Sequence, residues 1–156
     1  MPGSLEKAEA LEELPRLLRR MLRDAGPEVR TIRPRGGGFS LTEQICHLRD
    51  LEQQGYLVRI RRMLSEERPD LAEFDGARVA RESDYHSQDP EAALAAFEEA
   101  RRESLSLLAP LTEEQLERRG TIGTIGMITI RQLVDMMLEH DRSHARELDE
   151  LRAEWV

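Results

Sequence analysis

The stretch Thr129-Ile130-Arg131-Gln132-Leu133-Val134-Asp135-Met136-Met137-Leu138-Glu139-His140-Asp141-Arg142-Ser143-His144-Ala145-Arg146-Glu147-Leu148 sets the reading of the whole chain. Ile130, Leu133, Met137, Leu148 and Leu151 recur at three- and four-residue steps, the period of one face of an α-helix. Thr129 followed three residues later by Gln132 is a capping-box pattern that opens this helix. His140 and His144 fall on the same stripe, because four residues turn a helix by about 400° and stack the two rings one turn apart. Two imidazoles that interrupt an apolar face can both reach one ion. The spacing is that of the helical histidine pair in zinc enzymes, although Asp141 stands where the zincin pattern has its glutamate.

Outward from that helix the same period recurs three times. Leu5, Ala8, Leu11, Leu14, Leu18, Met21 and Leu22 predict a helix over about 4–24, in which Pro15 either makes a kink or starts the second half anew. Ser40 and Glu43 form another capping box, opening a helix to about Leu64 with Leu41, Ile45, Leu48, Leu51, Val58 and Met63 facing inward. Asp89 and Pro90 cap a third, with Leu94, Phe97, Ala100, Leu105 and Leu108 inward, and Pro110 ends it. Gly26-Pro27, Pro34 and Gly36-Gly37-Gly38 make residues 25–39 a loop. Glu66 to Gln88 reads as a long crossover with a short helix near Ala77 to Glu82, and Gly120 to Met127 as a glycine-rich loop.

Four helices, an aromatic content of 4% and no strand signal give an all-α fold, a four-helix bundle with a long crossover connection between helices 2 and 3. A length of 156 residues suits one domain, 1–156. With 23 basic against 31 acidic residues the net charge is −8, which repels phosphate backbones and argues against nucleic acid as a partner. Met1 to Lys7 holds no apolar core of a secretory signal, and the longest uncharged stretch, Gly120 to Ile130, is far short of a membrane span of roughly 20 residues. A lone Cys46 excludes an intrachain disulfide. These features predict a cytoplasmic protein without membrane contact.

Two histidines seldom hold a divalent metal firmly, so a third ligand is needed. His47 is the candidate, since it lies in the second helix on a stripe with Leu51 and Val58 and can project toward the His140/His144 face. His86 belongs to a polar loop, and Cys46 is rotated about 100° from His47, as core filling would be. The pattern alone leaves two readings open, a metal site and a set of hydrogen-bonded core histidines. Carboxylates near the imidazoles are Glu43, Asp50 and Glu147. Glu43 is accounted for by the capping box, which leaves Asp50 and Glu147 as the candidates for holding an imidazole N–H. Leu57, Ile60 and Leu64 form either a dimer seam or a surface covered by the crossover.

The segment Phe39-Ser40-Leu41-Thr42-Glu43-Gln44-Ile45-Cys46-His47-Leu48-Arg49-Asp50-Leu51-Glu52 resembles the W-S-x-x-E-x-x-x-H-L-x-D-x-E segment of the DinB/YfiT-like superfamily. Glu139-His140-Asp141-Arg142-Ser143-His144 resembles its closing H-D-x-x-H helix, and Phe74-Asp75 its aromatic-acidic pair in the crossover. Phe39 departs from the usual Trp. The resemblance covers nearly the whole chain. It implies a four-helix bundle that binds a divalent ion, often zinc or nickel, through His47, His140 and His144, and that pairs as a homodimer. It also implies a small-molecule substrate. Members of that family include transferases of low-molecular-weight thiols, a thiol-dependent maleylpyruvate isomerase and metal-dependent hydrolases. The family name comes from DNA-damage induction, a stress response. Three neutral imidazoles leave an ion its full charge and an open position, where either a thiol becomes thiolate or water becomes hydroxide. The residues do not separate the two; with the resemblance the expectation is a thiol transferase, with hydrolysis by activated water as the alternative and a non-catalytic metal-binding module third. A pocket for the thiol would be walled by residues 25–39 and Gly120 to Met127.

Overall fold

A computed structural model describes residues 4–155, with side chains from Glu6 onward. Helix α1 (Ser4–Ala10) and helix α2 (Glu13–Asp24) divide at Leu11-Glu12, so the break comes just ahead of Pro15. Proline then sits in the first turn of α2, where its missing N–H costs no hydrogen bond. Leu5, assigned above to the buried stripe, has a side chain outside the described residues. Helix α3 (Leu41–Asp50) starts at the predicted capping box: Ser40 Oγ accepts from the Glu43 amide, and Glu43 Oε1 accepts from the Ser40 amide at 3.1 Å. Arg33 closes on the same carboxylate with two bonds of 2.8 and 2.9 Å. That guanidinium and the Ser40 amide hold the Glu43 carboxyl below its ordinary range against the opposing effect of burial.

Past Asp50 the helix widens into a π-helical turn, Leu51–Tyr56, before resuming as α4 (Leu57–Ser65). This turn corrects one expectation. A π-turn inserts an extra residue, so the inward place seven positions after Leu51 passes from Val58 to Arg59. Val58 is exposed and Arg59 is buried. Of the three residues that the sequence leaves as either a dimer seam or a covered surface, Leu57 and Ile60 are buried and Leu64 is partly buried. The crossover contains strand β1 (Asp70–Leu71) and helix α5 (Gly76–Glu82), the short helix expected near Ala77 to Glu82. Helix α6 (Pro90–Leu108) starts on the Asp89 cap, α7 (Glu113–Leu116) is a single turn, and α8 (Ile130–Ala153) starts on the Thr129–Gln132 capping box.

Between α7 and α8 the structure differs from the expected loop. Strands β2 (Arg119–Ile122) and β3 (Gly126–Thr129) form an antiparallel hairpin, and β1 adds to it in parallel, with Asp70 opposite Thr121 and Leu71 opposite Ile122. Each strand is too short to show a period in sequence, while Thr121, Ile122, Ile128 and Thr129 have the β-branched side chains that fit a pleat. Gly126 takes the turn at φ 98°, open to glycine at little cost. The four-helix bundle therefore carries a small sheet at one end, built from β1, β2 and β3.

The core has two apolar bodies. Leu51, Tyr56, Ile60, Met63, Leu108, Leu133 and Met137 pack toward the sheet, and Leu18, Ile45, Leu94, Phe97 and Leu148 pack at the other end. Between them lies a polar layer centred on Arg101 of α6. Its guanidinium bonds Glu52 Oε1 at 3.0 Å, both oxygens of Asp141 at 2.8 and 3.1 Å, and the Leu11 carbonyl at 2.7 Å. Ser104 donates to the second oxygen of Glu52 at 2.8 Å. All these side chains are buried, so each depends on its partners for hydrogen bonding. Removing the cation alone strands two carboxylates in the interior, which costs about 3–5 kcal/mol. Arg101→Ala is therefore expected to lose stability of that order in urea unfolding, whereas replacing Glu52, Arg101 and Asp141 together by apolar residues of similar volume is expected to lose far less.

Candidate metal centre

His47 comes from α3, and His140 and His144 come from adjacent turns of α8. One ring nitrogen from each lies within 4.8 Å of the other two. Ring centroids are 4.4 Å apart for His140 and His144, 5.2 Å for His47 and His144, and 6.4 Å for His47 and His140. The convergence predicted from the two distant sequence segments is thus present. Among the described residues no carboxylate or thiolate joins the cluster.

Aromatic rings wall the three imidazoles. Phe39 lies 5.6 Å and Phe74 6.4 Å from His47, and Tyr56 stands edge-on to His140 at 6.3 Å. Gly76, the first residue of α5, approaches His47 so closely that a Cβ there would meet its Cε1 at 2.9 Å. Burial in this apolar setting lowers the pKa of all three histidines, since a charged imidazolium loses hydration there. His144 falls furthest, to about 3, because His140 and His47 also oppose a positive charge on it. At neutral pH all three rings hold lone pairs available to a cation.

The remaining nitrogens show which groups the site lacks. Nδ1 of His47 and Nδ1 of His140 are buried with no hydrogen-bond partner among the described residues, an arrangement that is unfavourable unless something else occupies it. His144 Nδ1 is satisfied by Gln44 Oε1 at 3.0 Å. Neutral, clustered imidazoles with unmet nitrogens suit a borderline divalent ion.

The candidate supporting carboxylates separate. Asp50 turns away from the imidazoles: it accepts from the Tyr85 hydroxyl at 2.6 Å and from Arg49 Nε at 2.9 Å, and so fastens the crossover to α3. Glu147 reaches His144 indirectly. Its Oε2 lies 3.7 Å from His144 Nδ1 and accepts from Gln44 Nε2 at 2.8 Å. Asp141, the residue in the zincin glutamate's place, belongs to Arg101. Cys46 is buried beside Gln88 and Tyr85, its thiol pushed up to about 11 by burial, and His86 is exposed in a turn. A cleft of about 440 Å³ lined by Gly36, Gly37, Gly38, Phe39, Gln44 and Glu147 adjoins the cluster. The Gly120 to Met127 segment does not line it. The hairpin tip instead bonds the crossover, the Thr124 amide donating to Glu73 at 2.7 Å beside Phe74.

The model of the DinB superfamily matches residues 10–148. The chain belongs to the DinB superfamily. It is 28% identical over 147 residues to a protein of Oceanobacillus iheyensis, spanning 93% of this chain and 84% of that one. It is 26% identical over 145 residues to YfiT of Bacillus subtilis, spanning 92% and 80%. Both relatives bear the provisional name of metal-dependent hydrolase. The solved structure of Bacillus subtilis YfiT, described as a four-helix bundle of unusual topology, superposes with a TM-score of 0.87 at 24% identity, covering 99% of this chain and 90% of that one. No helix among the described residues of this DinB-superfamily chain is long and apolar enough to cross a membrane.

Sequence reading missed Gln44 and Gly76. Gln44 stands three residues before His47, a spacing that puts both on one helical face, and this was the available signal. Nothing in the sequence marks Gly76 as a contact of His47.

Two outcomes follow for the metal-free protein. The lowered pKa values mean that the folded state resists protonation while the unfolded chain takes up protons near pH 6.5. The stabilising effect of neutral imidazoles is full above that pH and is lost as the pH falls toward the lower folded values. His144 is accordingly expected to keep neutral-imidazole NMR shifts from pH 7 down to about 4. Gly76→Ala is expected to shift the His47 resonances and those of its ring neighbours while leaving far-UV circular dichroism unchanged.

Proposed function

We propose that His47, His140 and His144 hold a divalent ion, zinc or nickel, and that the protein transfers a low-molecular-weight thiol to an electrophilic small molecule. The observation that carries this reading is the donor set itself, three neutral imidazoles, His144 buried and His47 and His140 partly so, with no carboxylate among them. Neutral ligands leave the ion its full positive charge. When bound, such an ion stabilises the thiolate of an incoming thiol and polarises an electrophile's oxygen.

The chain's own residues supply the rest. Phe39, Phe74 and Tyr56 exclude water from around the rings, which strengthens charge interactions there. The cleft lined by Phe39 and Gln44, which neighbour His47 and His144, gives a small molecule a place. Tyr56 keeps its proton, because burial and the nearby carboxylates of Glu52 and Asp141 push its pKa up. Hydrolysis is the second reading, favoured by the names of the relatives. It would profit from a carboxylate base facing the ion. Asp50, Asp141 and Glu43 are each bonded to arginine, and Glu147, on the Nδ1 side of His144, is bonded to Gln44, so each carboxylate of this group already has a partner.

The test is metal analysis of protein purified without a histidine tag, as wild type and as His144→Ala, followed by assay with thiols and an electrophile such as monochlorobimane. Wild type is expected to carry about one divalent ion per chain and the variant none, at equal helicity. Conjugation that needs both thiol and ion supports transfer. Turnover of an ester or amide without thiol would replace transfer by hydrolysis, and a metal-free wild type that takes up no added zinc would remove both.

A further inference from the structure

The hydrogen bonds around His144 form a relay of defined direction. Glu147 is a carboxylate and can only accept, so the Gln44 atom 2.8 Å from its Oε2 must be the amide nitrogen. The opposite orientation of that amide would press two oxygens together. With its nitrogen committed to Glu147, Gln44 presents its oxygen to His144, and an amide oxygen also only accepts. His144 Nδ1 at 3.0 Å must therefore carry the hydrogen, which leaves the lone pair on Nε2. Gln44 is buried, with 3% of its surface exposed, and its bond to His144 is enclosed, while Glu147 at the other end of the relay is half exposed. The relay also crosses from α3 to α8, the two elements that carry the histidines, and it fixes the plane of the ring as well as its tautomer.

His47 and His140 have no such arrangement. Their Nδ1 atoms are buried and meet no partner among the described residues, so nothing described in the fold selects a tautomer for either ring.

We propose that Gln44 is a positioning residue for the metal centre, converting the fixed polarity of the Glu147 carboxylate into a fixed Nδ1–H tautomer of His144, and that His144 is the pre-set ligand to which His47 and His140 adapt. This rests on the reading of the three histidines as metal ligands. The tautomer itself does not depend on any ion being bound.

Two measurements test it. In metal-free, nitrogen-15-labelled protein, long-range proton–nitrogen correlation is expected to show His144 protonated at Nδ1 and bare at Nε2. The second measurement is the affinity for zinc, read by competition with a chromophoric chelator. Gln44→Leu is expected to weaken binding roughly 10- to 100-fold, the usual effect of losing the partner that orients a ligating histidine. Gln44→Glu keeps an acceptor for His144 Nδ1–H but buries a carboxylate against that of Glu147 with no donor between them, so it is expected to displace the side chain at 44 and weaken binding, by less than Gln44→Leu. The double variant Gln44→Glu with Glu147→Gln reverses donor and acceptor only between positions 44 and 147, while position 44 still accepts from His144 Nδ1–H, so it is expected to recover most of the lost affinity at matched thermal stability. A His144 ring protonated at Nε2 overturns the proposal, as does a Gln44→Leu protein that binds zinc as tightly as wild type, or a double variant no better than Gln44→Glu alone. If wild-type protein binds no zinc, the metal reading falls, and the tautomer measurement alone decides whether the relay exists.

Discussion

The arrangement of this bundle depends on one buried cation. Arg101 reaches the π-turn after α3 through Glu52, α8 through Asp141, and the junction of α1 and α2 through the Leu11 carbonyl. Each contact joins a different helix to α6, so the guanidinium fixes how all of them are rotated about their axes. Apolar packing on either side of this layer is non-directional and would tolerate small rotations. A planar fork with five donors would not. The functional consequence lies in the neighbouring positions. Asp141 follows His140 directly, and Glu52 stands five residues after His47, so the rotation set by Arg101 is also the rotation that aims two of the three imidazoles.

The charge of that layer matters as well. In this layer two carboxylates face one guanidinium, and Asp141 is the one of the two that bears on His140. Isolated, such a charge is costly to bury. Set beside a cluster of neutral imidazoles, it offsets part of the charge that a divalent cation would bring. The low dielectric of the aromatic walls increases the size of that effect. Burial therefore does two things at once in this region: it keeps the imidazoles unprotonated and it strengthens the pull of the buried carboxylates on whatever cation arrives.

Most of the fold was legible because its signals are local. Capping boxes at Ser40 and Thr129 and the Asp89-Pro90 pair each satisfy end-of-helix amides within a few residues, and the structure has helices beginning at all of them. The three histidines were legible for a similar reason, since they interrupt apolar stripes whose period is fixed by the helix. What escaped depends on the third dimension. The π-turn at 51–56 displaces Val58 from the core and buries Arg59, and no sequence period announces an inserted residue of this kind. Strands β2 and β3 pair locally but are too short to show a period, and the two-residue β1 is stabilised only by a distant partner, Asp70 against Thr121. Asp50 looked like a partner for histidine because it sits one turn beyond His47, but Tyr85 of the crossover takes it.

The three histidines differ in what they owe to the protein and what they owe to an ion. His144 has a ring nitrogen bonded to Gln44, the lowest basicity of the set and deep burial, so its geometry is complete before any cation arrives. His47 is held by shape, between Phe39, Phe74 and the backbone of Gly76, without a hydrogen bond to its buried Nδ1. His140 has the carboxylate of Asp141 beside it, which favours a positive charge there. One ligand fixed by bonding, one by packing and one by electrostatics make a centre in which no single ring must satisfy all requirements. The same division explains why the closest carboxylates are tied up elsewhere. A free carboxylate in the first rank would neutralise the ion, whereas carboxylates held one residue or one bond away attract it and leave its charge available to a thiol or an electrophile.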